Sequence, residues 1–74
     1  MSDYKKLAEI EWVFQKIIHD CLVSKVIPFD DAKNKMDTLY KEEKSKYPEL
    51  RKKIETMFQD YTNTIEQRKD RESF

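Results

Sequence analysis

Apolar side chains return every three or four positions in three successive blocks of the chain, the spacing that lines one face of an α-helix. In the first block Leu7, Ile10, Phe14, Ile17 and Cys21 form the stripe, and Tyr4, Val13, Ile18 and Leu22 widen it. The pattern predicts a helix over 3–24, capped by Ser2 or Asp3, whose side-chain oxygens can accept from the open amides of the first turn. Val26-Ile27-Pro28-Phe29 then interrupts it, because proline drives the residue before it out of the α region. A second helix is predicted over 30–46, with Asp30 and Asp31 at the positive end of its dipole. Its stripe of Phe29, Ala32, Met36, Leu39 and Tyr40 is thin.

Tyr47-Pro48-Glu49 marks the next boundary, since proline favours the first turn of a helix. The third block carries Leu50, Ile54, Met57, Phe58, Tyr61 and Ile65, predicting a helix over 48–68 and a frayed tail over 69–74. Two arrangements fit: a three-helix bundle, or a helical hairpin plus a third helix. A proline can also bend a helix without ending it, so blocks two and three could form one kinked rod. Acid-before-base pairs four apart (Asp31 with Lys35, Asp37 with Lys41, Glu42 with Lys46, Glu49 with Lys53) mark solvated helix faces. Each adds about 0.2–0.5 kcal/mol.

The chain has no glycine. Phosphate-cradling loops need glycine so that amides can approach an anion without an intervening Cβ. The usual nucleotide-binding loops are thereby excluded, and tight β-hairpin turns are disfavoured. An all-α fold in a single domain, 1–74, is the expectation. Charged residues make up 41% of the chain, yet fifteen basic side chains balance fifteen acidic ones and the apolar positions are periodic, so the chain should fold. Zero net charge also counts against nucleic acid as a partner, because phosphate neutralisation calls for a basic excess.

Seventy-four residues bury only roughly 60% of their unfolded surface, which leaves stability marginal without a further support. One cysteine rules out an internal disulfide, and with one histidine it cannot assemble a structural zinc site. No cofactor or metal is expected. Oligomerisation, or docking on another protein, is the support that remains. No apolar leader or membrane-length run is present, so the expected address is the cytoplasm with no membrane association.

The first helix carries a second feature. On a wheel of 100° per residue, Trp12 falls opposite the main stripe, with Ala8, His19 and Val23 beside it and Lys5, Glu9 and Lys16 along the rim. A helix apolar on nearly all sides is buried or shared between two contacts. Either the other helices cover both faces, or Trp12, Ala8, His19, Val23 and Lys16 meet another chain: a second copy or a different protein. Tryptophan is enriched among residues that dominate interface energy.

Other chemistry reads as structural. His19 and Cys21 stand two apart and diverge by about 200° on a helix, so they do not form a nucleophile–base pair. Glu11 lies at the margin of the apolar stripe with no second acid beside it, and Glu42 and Glu43 point apart. No catalytic residue is assigned, and an enzyme is not expected. From 41 to 53 six basic residues face three glutamates, a local excess of three. An alternative reading therefore makes Lys41, Lys44, Arg51, Lys52, Lys53 and Tyr47 a site for a phosphate or nucleotide. The main expectation is a non-catalytic protein–protein interaction module, a small regulator, adaptor or inhibitor that self-associates.

Overall fold

The computed structural model describes residues 3–72, and their order is set by where the two prolines fall. α1 spans Asp3–Leu22, α2 spans Phe29–Lys46, a one-turn 3-10 segment covers Pro48–Leu50, and α3 spans Arg51–Glu72. Among the described residues there is no strand. The chain is an all-α three-helix bundle, 45 Å long and 18 by 15 Å across.

Each boundary has a local cause. After Leu22 the backbone turns through Lys25, whose φ of 56° lies in the left-handed region that a glycine would occupy more easily. The His19 and Asp20 carbonyls that α1 leaves open accept from the amides of Val23, Ser24 and Val26 at 2.8–3.0 Å. Pro28 is extended (φ −73°, ψ 165°) and its carbonyl receives the Ala32 amide at 3.0 Å, which starts α2 one residue earlier than the sequence pattern indicates. Tyr47, forced out of the α region by Pro48 (φ −128°, ψ 71°), ends α2.

That break makes α2 and α3 an antiparallel hairpin and excludes the kinked rod. Lys33 Nζ donates to Glu66 at 2.8 Å, Lys69 pairs with Asp30 at 3.5 Å, and the rings of Tyr40 and Phe58 stack 4.6 Å apart. α1 runs parallel to α3 in the remaining position, with Phe14 stacked on Tyr61 at 5.6 Å and Gln15 Nε2 donating to the Tyr61 hydroxyl at 3.3 Å. Burial pushes the Tyr61 phenol above its ordinary pKa, and the Gln15 hydrogen bond opposes that rise.

The core joins all three stripes: Ile10, Phe14, Ile17 and Cys21 from α1, Ala32 and Met36 from α2, and Leu50, Ile54 and Ile65 from the last segment. Three further expectations need correction. α1 ends at Leu22 and not at residue 24, because the backbone turns there towards the left-handed Lys25. Tyr4, assigned to the widened stripe of α1, is 82% exposed, its ring 5.9 Å from Lys53 Nζ. The expected tail from Lys69 is helical through Glu72, because Lys69 is tied to Asp30 and the basic side chains of the last turn suit the negative end of the dipole. Residues 73–74 of that tail, and the candidate cap Ser2, lie outside the described residues.

Candidate interaction surface

Burying the stripe Ile10–Phe14–Ile17–Cys21 against α2 and α3 fixes the rotation of α1, and Trp12 must then emerge on the far side. It does, at 62% exposure. Ala8, Lys16, His19 and Val23 are exposed with it. Lys16 Nζ lies 5.9 Å from the centre of the Trp12 ring, near enough for a cation–π contact. His19 Nδ1 faces the Ser24 hydroxyl at 3.4 Å and Asp20 at 3.9 Å.

Among the described residues the large hydrophobics left in water are Tyr4, Trp12, Val23 and Val26. All four belong to α1 or to the loop that follows it, whereas α2 and α3 turn their large apolar residues inward.

Sequence reading missed the ground beside this face. Where α1 passes α2 the surface dips into an open groove of about 500 Å³, lined by Val13, Ile17, Ile27 and Leu39 with Lys16, Asp20, Lys35 and Glu42 among its charged residues. Lys16 belongs to both the groove and the Trp12 strip, so the two form one continuous surface. The available signal was the thin stripe of α2: Asn34, Lys35 and Thr38 stand where a wider stripe would have sealed the seam.

The basic boundary residues do not converge as a group. Lys44, Arg51 and Lys52 share a shallow depression with Tyr40, Thr56 and Glu55, and the Glu55 carboxylate accepts from the Tyr40 hydroxyl at 3.4 Å. Lys44 Nζ lies 4.7 Å from the Tyr40 ring centre. Lys41 pairs with Asp37 at 3.0 Å, Lys53 faces the Tyr4 ring, and Tyr47 lies under Lys6 Nζ at 5.0 Å on the α1 side. Three of the six named residues thus share one place, together with a carboxylate, and three are engaged elsewhere.

Glu11 is exposed and its carboxylate accepts from Gln15 Nε2 at 3.2 Å, so the partner it needs at the margin of the stripe is one helical turn away. Cys21 is buried and forms no disulfide, while His19 is exposed on the opposite side of the helix. Among the described residues no group of three or more His, Cys, Asp or Glu could hold a metal, and no helix is long and apolar enough to cross a membrane. No protein-family model, curated protein or solved structure matches this chain.

Proposed function

We propose that this chain is a non-catalytic protein-interaction module that self-associates through the outer face of α1. By presenting that face it would act as a small adaptor, regulator or inhibitor in the cytoplasm. The observation that carries the reading is the exposure of Trp12, at 62%, on the outer face of α1, with Val23, Ala8 and His19 on the same face. Scattered apolar residues on a surface need no explanation, whereas a grouped set with a charged rim marks a contact. A buried tryptophan removes roughly 150–250 Å² from water, so covering the exposed part of Trp12 is worth roughly 2–4 kcal/mol. For a chain this short, an added contact of that size is a large share of total stability.

The anion reading has less to draw on, because a carboxylate shares the depression that holds Lys44, Arg51 and Lys52. Light scattering at several concentrations tests the proposal. The mass should rise with concentration, and Trp12→Ala should weaken assembly about a hundredfold or more while circular dichroism keeps its helical signal. A mass that stays monomeric throughout, or an assembly indifferent to Trp12→Ala, overturns it.

A further inference from the structure

The charged rim of α1 is self-complementary in one orientation. Lys5, Glu9, Lys16 and Asp20 share with Trp12 and Val13 an arc of about 100°, running from the exposed indole to the groove beside α2. Along the helix their signs read plus, minus, plus, minus. The pair Glu9 and Lys16 and the pair Lys5 and Asp20 are centred on the same point, midway between Trp12 and Val13. A two-fold axis through that point, perpendicular to α1, brings each acid opposite a base.

A two-fold contact is isologous: if residue i meets residue j of the second copy, j also meets i. Laid antiparallel, α1 of the second copy sets Glu9 against Lys16, Lys16 against Glu9, Lys5 against Asp20 and Asp20 against Lys5, with the two Trp12 rings side by side on one flank of the axis and the two Val13 side chains on the other. Laid parallel and in register, the same helices oppose Lys5 to Lys5, Glu9 to Glu9, Lys16 to Lys16 and Asp20 to Asp20, and like charges repel. The present contacts of the central pair are exposed ones that a second copy can replace: Glu9 pairs with Lys6 at 3.3 Å, and Lys16 rests near the Trp12 ring.

We propose that the occupant of this face is a second copy of the chain, docked with its α1 antiparallel across the axis between Trp12 and Val13. This inference rests on the self-association reading and adds to it an orientation and a register. Electrostatic pairing of this kind selects orientation more than it sets affinity.

Charge reversal tests it, with dimer dissociation measured by sedimentation at low salt. Glu9→Lys alone, or Lys16→Glu alone, brings like charges together at two symmetry-related places and should weaken the dimer about tenfold. Glu9→Lys combined with Lys16→Glu in one chain restores both contacts and should return dissociation to within about threefold of the parent. All four positions lie on the outward side of α1, and circular dichroism checks that each variant keeps its helices. If assembly needs Trp12 but the single reversals leave it within threefold, or the combined variant stays as weak as the singles, the antiparallel register is wrong and the Trp12 face stands. If assembly does not depend on Trp12, the reading beneath it is wrong.

Discussion

Two antiparallel seams flank α2, and they close to different degrees. Against α3 the seam is fastened along its length by the Tyr40–Phe58 stack, the Lys33–Glu66 hydrogen bond and the Asp30–Lys69 pair, and the connection is one non-helical residue followed by a 3-10 turn. Against α1 the chain needs the six residues 23–28 to turn, and the seam retains a groove lined by Val13, Ile17, Ile27 and Leu39. The stripe of α2 is too thin to seal both sides. The difference shows how a small bundle can hold itself together on one flank and leave apolar surface for another molecule on the other.

The sharpest way to break that contrast is on the inner face of α1. Phe14 is fully buried and stacks on Tyr61. Phe14→Ala should cost about 3–5 kcal/mol, and urea unfolding should show the chain largely unfolded, because a domain of this size has little more stability than that to lose. Trp12→Ala, two residues away on the outward side, should leave the unfolding free energy of the monomer within about 0.5 kcal/mol and change assembly alone.

How much of this was legible in the sequence follows the same division. The three helices were, since each stripe is periodic and each break carries a proline. The outward placement of Trp12 was also legible, because fixing Phe14 and Ile17 in the core leaves Trp12 no other direction. The groove was not: it depends on which side of α2 faces α1, a tertiary fact that a wheel drawn for one helix does not hold. The exposure of Tyr4 escaped for a related reason. Its angle suits the stripe, but at that level of the bundle α3 offers Lys53 rather than an apolar neighbour. The basic boundary looked continuous in sequence, yet successive helical residues diverge by about 100°, so Lys52 and Lys53 go to different sides of α3.

A smaller effect is expected in the loop that separates the two seams. Lys25→Gly removes the crowding that a Cβ meets at positive φ, and should raise stability by up to about 1 kcal/mol. Thermal unfolding would register this as a rise of several degrees, roughly 4–8 °C per kcal/mol for a domain of this length. No rise, or a fall, would mean that the lysine side chain contributes more than its backbone costs.

The smallest effect belongs to the closed seam. The Lys33 hydrogen bond holds Glu66 below the ordinary carboxylate range, and Glu66 holds Lys33 above the ordinary lysine range. The Glu66 contribution is therefore present above about pH 4.3, the ordinary glutamate value, and is lost as pH falls through the lower folded value. The Lys33 contribution is present below about pH 10.4 and is lost as pH rises through the higher folded value. Both groups stand in solvent, so the effect is slight. Glu66→Gln should narrow the difference from the parent towards zero at both extremes of a stability-against-pH series, and a difference that persists at acid pH would contradict this assignment.

The left-handed Lys25 has a counterpart in the disordered ensemble from which the bundle forms. A chain with average usage, about 7% glycine, would carry roughly five glycines over this length. Each non-glycine residue in a compatible place restricts the random chain and is worth about 0.4–1 kcal/mol, so the missing five amount to roughly 2–5 kcal/mol. One strained bend costs less than that. Part of what keeps this small helical chain folded thus resides in the stiffness of the state it leaves, where no inventory of native contacts would find it.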